Sequence, residues 1–100
     1  MSVFIVGGDK LGNIGDKLKK YGFDRVFHEK GRKMIRNKNL NIPVKTGLVI
    51  VLTDFVNHNI SEMIKKQAKN KEIPIIHTKR SWSAISQKMY QIHETGSLVK

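Results

Sequence analysis

Residues that could do chemistry cluster at the ends of four apolar segments of this 100-residue chain. Residues 7–10 follow the first segment, His28 ends the second, residues 53–58 follow the third, and residues 77–81 end the fourth. Glycine amides, cationic side chains and helix N-termini all bind phosphate, so these residue types favour an anion site. The candidate ligand- or phosphate-binding residues are Gly7, Gly8, Asp9, Lys10, His28, Arg32, Asp54, Asn57, His58, Lys79, Arg80 and Ser81.

Three histidines at these segment ends, His28, His58 and His77, leave two other chemistries open. With Asp54 they are legitimate zinc ligands, but their spacing matches no compact metal motif, and neighbouring lysines and arginines would repel a cation. Histidine is also a common general acid or base, yet no serine or cysteine nucleophile with a recognisable local signature accompanies it. We therefore assign no metal and no catalytic residue. Strand capping or partly buried packing remains the structural alternative for the three imidazoles.

The glycine-rich stretch at residues 7–15 could cradle a phosphate with its backbone N–H groups. Gly7 and Gly12 have the Walker spacing, but Asn13 and Ile14 replace the lysine and the serine or threonine of that motif. The glycine pattern of dinucleotide-binding folds is absent. An equally good explanation is that the glycines let the chain turn tightly. We therefore assign no cofactor.

The chain carries 19 lysines and arginines against 8 aspartates and glutamates, a formal net charge of +11. Such a balance suits either a solubilising surface or a polyanionic partner, and a basic pI is typical of nucleic-acid binding. The longest purely cationic stretch lies at residues 30–38, and it is the first candidate for contact with phosphates. The cations of this predicted nucleic-acid patch are Lys30, Arg32, Lys33, Arg36 and Lys38.

The spacing of apolar residues predicts the elements that must position these groups. Apolar, β-branched segments predict strands at residues 3–6, 23–28, 48–52 and 73–77. Stripes at helical spacing predict helices at residues 13–21, 59–70 and 81–93, with a short helix near residues 32–39. Strand–helix–strand units of this kind build parallel sheets. We therefore predict an α/β fold: a small three-layer Rossmann- or flavodoxin-like domain with a four-stranded parallel sheet in the order 2-1-3-4.

The same patterns predict the core and the helix ends. The expected core is Val3, Ile5, Leu18, Val26, Val49, Val51, Ile64, Ile75, Ile85 and Met89. The expected caps are Gly22 at the end of the first helix, Asn59 with Glu62 as a capping box for the second, and Ser81 or Ser83 for the last. Tyr21 is expected to face inward, and Trp82 is expected to pack in the core, with stacking on a base as its alternative.

One domain over residues 1–93 accounts for these elements, with residues 94–100 as a flexible tail. The chain has no cysteine, no signal-peptide pattern and no long apolar segment, which predicts a cytoplasmic protein without a membrane partner. The exposed edges of a small sheet would also suit a homodimer.

The chain resembles the bacterial domain-of-unknown-function 2325 family through short motifs that occur in the same order. These are residues 5–8, His28 followed by Gly31, the strand that ends before Asn57-His58, and residues 73–76 leading to residues 80–83. The resemblance covers roughly residues 3–90 and implies a small Rossmann-type α/β domain with no established activity. Relatives often have Ser-His in place of Asn57-His58, and acidic residues in place of Lys30, Arg32 and Lys33. The second difference argues against a shared metal role in this chain.

Three functions compete on this basis. The first is a nucleic-acid-binding regulatory or accessory protein, because cations at residues 30–38, 65–71 and 79–80 are spread more widely than one small ligand needs. The alternative is a sensor domain that binds a nucleotide or phosphorylated small ligand at the carboxyl edge of the sheet. A small hydrolase or transferase is third. No helix-turn-helix, zinc-finger or RNA-stacking signature is present, so we expect phosphate contacts and little base readout.

Overall fold

The computed structural model describes residues 1–8, 10–30 and 41–94. Its strands are β1 (Ser2–Val6), β2 (Arg25–Glu29), β3 (Thr46–Leu52) and β4 (Ile75–Thr78). Its helices are α1 (Ile14–Tyr21), α2 (His58–Asn70) and α3 (Trp82–Glu94), with a short 3₁₀ turn at Thr53–Phe55. The short helix predicted near residues 32–39 and the tail predicted at residues 95–100 lie outside the described residues.

The four strands form one parallel sheet in the order β2-β1-β3-β4, as predicted. Val3 of β1 lies beside Val26 of β2 and Leu48 of β3. Because β3 is central and covered on both faces, residues 48–52 are all fully buried. This explains the unbroken apolar run, since a strand covered on both faces has no side for polar residues.

Two apolar clusters, one on each face of the sheet, make the domain three-layered. On the α1/α3 face, Val3 and Ile5 pack with Leu18 of α1 and with Ile85 and Met89 of α3. On the opposite face, which we call the α2 face, the apolar residues of α2 pack on the sheet. They are Ile60, Ile64 and Ala68, and they meet Phe4, Val6, Val49 and Val51. Each fully buried side chain of this size contributes about 1.5–3 kcal/mol, so these contacts hold the layers together.

Most of the predicted core is buried, but Val26 and Ile75 are only partly buried. Both lie on edge strands, where a neighbour is missing on one side. Ile42 is 2% exposed and was not predicted, because it comes from a segment read as a loop. Its backbone N–H donates to Oε1 of Gln67, which ties this segment to α2.

The prediction that Tyr21 faces inward is wrong, since its side chain is 44% exposed. It occupies the last position of α1, where the helix leaves the sheet, and its ring stacks on Phe23 instead. Trp82 packs partly buried against the α1/α3 cluster, as expected.

The end of α1 and the start of α3 follow the prediction. Gly22 has φ +134°, and its N–H donates to the carbonyl oxygens of Leu18 and Lys19, so the glycine satisfies carbonyls that the helix leaves open. At α3, Ser81 Oγ accepts a hydrogen bond from the Ala84 N–H at 3.1 Å.

The predicted capping box of Asn59 and Glu62 at the start of α2 is wrong. Asn57 is the cap: it has extended backbone angles, and its side-chain oxygen accepts from the Ile60 N–H at 2.9 Å. The helix therefore begins two residues before Asn59 would allow. No described helix is long and apolar enough to cross a membrane.

Candidate functional site at the carboxyl edge of the sheet

The carboxyl ends of the four parallel strands meet along one edge, and α1, α2 and α3 all begin there. Open α/β sheets bind their ligands at this edge, because loops and helix N-termini converge on it. Four described chain segments leave the strands at this point: residues 7–13, Lys30, residues 53–57 and residues 79–81.

Gly7 is packed so tightly that only glycine fits. Its φ is +111°, and a Cβ at this position would lie 2.7 Å from Val56 Cγ2 and 3.0 Å from the Leu52 carbonyl oxygen. The glycine turn thus lies directly against the segment that follows β3. The tight turn alone explains why a glycine occurs here.

His28 holds the same turn from the other side. Its Nε2 lies 2.8 Å from the Gly7 carbonyl oxygen, and because a carbonyl only accepts, Nε2 carries the hydrogen and donates it. The Gly7 N–H in turn donates to the Glu29 carbonyl at 2.8 Å. His28 therefore has a structural role at the end of β2, which was one of the alternatives open from sequence.

Arg80 crosses the glycine-rich loop and closes it. Its Nε and Nη2 donate to the Lys10 carbonyl oxygen at 2.8 and 2.6 Å, across 70 positions of sequence. A Cβ on Gly8 would lie 3.7 Å from Arg80 Cδ, and one on Gly12 would lie 3.8 Å from Nη2. These bonds use two of the five N–H groups of the guanidinium, which stays exposed at the edge in a defined position.

The three histidines that end segments do not come together. His28 pairs in register with Ile5 and so lies on the α1/α3 face, whereas His77 pairs with Val51 on the α2 face. They stand in opposite edge strands, roughly 14 Å apart at about 4.8 Å per strand. His58 is exposed at the start of α2, with Nε2 3.9 Å from Glu62 Oε1. No group of three or more potential metal ligands occurs among the described residues.

Burial lowers the pKa of His77, and the positive charges of Lys65 and Lys88 lower it further, while Glu62 acts in the opposite direction. His77 is therefore a neutral, partly buried side chain of β4 at pH 7. This environment suits a packing role better than a ligand role.

Two further predicted site residues, Asn57 and Ser81, use their side-chain oxygens to cap α2 and α3. The exposed predicted residues at this edge are Lys10, Lys30, Asp54, His58, Lys79 and Arg80. Asp9, Arg32, Lys33, Arg36 and Lys38 lie outside the described residues.

Sequence reasoning missed the back wall of the glycine turn, which Leu52 and Val56 form, and the passage of Arg80 over Gly12. The apolar Val56 between polar residues was the only available signal for the wall. Nothing in the sequence indicates that Arg80 binds a backbone carbonyl in the first βα loop.

The cations of the protein are not neutralised from within. Among the side chains that the structure describes, no lysine or arginine pairs with a carboxylate. Asp24 pairs with the amino group of Met1 at 2.9 Å, and this ammonium lowers the pKa of the Asp24 carboxyl. The exposed side of α2 carries Lys65, Lys66 and Lys69, with Lys71 just beyond its end. We call these four residues the α2 lysine face.

The parallel sheet, the order of its strands and its edge of loops and helix N-termini define a small three-layer α/β domain of the Rossmann-like class. A family model described as "Uncharacterized protein conserved in bacteria (DUF2325)" matches residues 2–92. The chain belongs to this family, as its motifs indicated. No curated protein and no solved structure matches it.

Proposed function

We propose that this protein binds nucleic acids, mainly through their phosphate backbones. The observation that carries the proposal is the set of exposed lysines and arginines without carboxylate partners in the described part of the chain. Lysines and arginines that neutralise phosphates release condensed counterions, and this release supplies most of the affinity of sequence-independent binding. A net charge of +11 on 100 residues would also draw the protein towards any polyanion.

The spread of these cations favours a long polyanion over a small ligand. α2 has 13 residues and is about 20 Å long, so its lysine face extends well away from the carboxyl edge. At that edge, Lys30 and Lys79 follow opposite edge strands, roughly 14 Å apart. A single phosphate is contacted by groups that converge on one point, whereas a nucleic-acid backbone offers a charge every few ångströms.

Fluorescence-anisotropy titration with duplex and single-stranded DNA and RNA over a salt series tests this proposal. We expect affinity to fall steeply with salt, with a slope near 0.9 for each phosphate neutralised on duplex DNA. Absence of binding to all four nucleic acids at low salt would contradict it.

Two triple variants locate the surface. Lys65→Ala, Lys66→Ala and Lys69→Ala remove three charges from the α2 lysine face, and Arg32→Ala, Lys33→Ala and Arg36→Ala remove three from the cationic stretch. Each should reduce the salt slope by up to about three units of 0.9 if its cations contact phosphates. The matched control replaces Lys65, Lys66 and Lys69 with arginine, which keeps the charge and should keep the slope.

The fixed guanidinium of Arg80 supports a second candidate, a sensor domain for a nucleotide or phosphorylated small ligand. Arg80 is held over the glycine turn beside the exposed Lys10 and Lys79, where such folds bind phosphate. A nucleotide that raises the melting temperature of the wild type, but not of Lys79→Ala, would favour this candidate. If no nucleic acid then binds even at low salt, the first proposal is wrong.

A further inference from the structure

A groove between α1 and α3 exposes two tyrosines away from the carboxyl edge. Tyr21, Ser86, Gln87, Tyr90 and Gln91 line it, and its volume is about 420 Å³. Tyr21 is 44% exposed and Tyr90 is 61% exposed. Large side chains that are apolar over most of their surface and exposed side by side often mark a binding surface. We call this feature the tyrosine groove.

The ring of Tyr21 is fixed by its neighbours before anything binds. Phe23 stacks on it nearly parallel, with 6.3 Å between ring centroids and 14° between planes. Trp82 meets it at its edge, at 6.4 Å and 72°. A ring that is already held in place loses little conformational entropy on binding, which favours its use as a stacking platform.

The charges beside the groove indicate an anionic occupant. α1 carries Lys17, Lys19 and Lys20 against Asp16, and Lys17 Nζ lies 6.0 Å from the centre of the Trp82 ring. A second copy of this chain docked through the same face would bring two sets of lysines together, which is unfavourable. Single-stranded nucleic acid combines phosphates for the lysines with unpaired bases for the tyrosines. Duplex bases are stacked on one another and offer no free ring face.

We propose that the tyrosine groove stacks unpaired bases of single-stranded DNA or RNA. The inference rests on the proposed nucleic-acid binding and adds to it a preference for single strands over duplexes. Stacking tolerates any base, because every base has a π-face, so it is compatible with little sequence readout.

The test uses fluorescence anisotropy with a labelled 12-nucleotide single strand and the matched duplex. Tyr90→Ala should weaken binding of the single strand by at least about fivefold and leave duplex affinity unchanged. The salt slope should also stay unchanged, because no charge is removed. Tyr90→Phe keeps the ring and should bind like the wild type.

Two further measurements make the test specific. Phe55→Ala removes a ring that is 48% exposed on the turn after β3, outside the groove, and should leave both affinities unchanged. Trp82 is the single tryptophan of the chain and contacts Tyr21, so its emission should be quenched by the single strand in the wild type. The same strand concentration should quench it less in Tyr90→Ala.

The outcomes separate this inference from the proposal it rests on. If nucleic acids bind but Tyr90→Ala weakens single strand and duplex equally, or neither, the groove inference is wrong and the proposed function stands. If no nucleic acid binds, both are wrong. If Tyr90→Ala instead turns a dimer into a monomer in sedimentation without changing affinity, the groove joins two copies. Competition by polyglutamate as strong as by the single strand would assign the groove to an acidic protein.

Discussion

The tightest constraint on a single residue lies at Gly7, where backbone conformation and packing both exclude a side chain. Its φ of +111° is costly for any residue with a Cβ, and Val56 and Leu52 already fill the space that a Cβ would take. Since Leu52 belongs to central β3 and Val56 packs on the α2 cluster, these neighbours cannot move away without disturbing the core.

Gly7→Ala should therefore destabilise the protein by about 2 kcal/mol or more, from backbone strain together with overpacking. Urea unfolding followed by circular dichroism measures the change. Gly15→Ala is the matched control: Gly15 lies inside α1 and a Cβ there would meet nothing within 4 Å. It should stabilise the protein by about 0.5–1 kcal/mol, since alanine favours a helix interior. Equal effects of both substitutions would contradict this account of Gly7.

At this scale the sequence predicts which residues reach the carboxyl edge, but not what each side chain bonds there. Residue types and strand ends placed His28, Asn57, Arg80 and Ser81 at the edge. Each then bonds a backbone group of the protein itself, at Gly7, Ile60, Lys10 and Ala84. Such bonds depend on distances between segments that are far apart in sequence, and no local pattern encodes them.

Among the elements, α2 shows how far local patterns determine a boundary. Ile60, Ile64 and Ala68 predicted its buried stripe correctly, because their spacing follows the helical period. Its start was misplaced because Asn57 and Asn59 are equally good capping residues by type. Only the extended backbone of Asn57, imposed by the turn after β3, distinguishes them.

Asn57→Ala should lower the free energy of unfolding by about 1 kcal/mol, because the Ile60 N–H loses its partner at a helix N-terminus. Thermal unfolding at neutral pH measures the loss. Asn59→Ala, on the exposed first turn, should change stability by less than about 0.5 kcal/mol. A larger effect of Asn59→Ala than of Asn57→Ala would restore the capping box that the sequence predicted.

Strand order was the most predictable property of the architecture. Right-handed crossovers between parallel strands leave few arrangements for four strands and their helices, and the buried run of β3 placed it at the centre. The bounds of β2 and β4 were less accurate: they were predicted to begin at residues 23 and 73, and they begin at Arg25 and Ile75. Edge strands pack on fewer neighbours, so their apolar patterns extend into the connecting segments.

Over the whole molecule, the excess of positive charge acts against the folded state as well as for a partner. Cations without carboxylate partners among the described residues repel one another more strongly in the compact fold than in the extended chain. Salt weakens this repulsion, because the Debye length falls from about 30 Å at 0.01 M to about 10 Å at 0.1 M.

The melting temperature should therefore rise when sodium chloride is raised over this range. Differential scanning calorimetry measures the change. Replacing Lys65, Lys66 and Lys69 with glutamine should raise the melting temperature at low salt and reduce its dependence on salt. A wild-type melting temperature that falls or stays constant would show that the charges are balanced in a way that the described ion pairs do not account for.

The bond from Arg80 to Lys10 has a consequence for the order in which the molecule is made. β1 is synthesised first, yet its neighbour β3 and the arginine that closes its loop come from positions 46–52 and 80. A nascent chain on the ribosome can pair β1 with β2 early, but the loop stays open until the last fifth of the chain has emerged. The edge that faces phosphate is thus completed only in a finished chain, so partly made chains lack it.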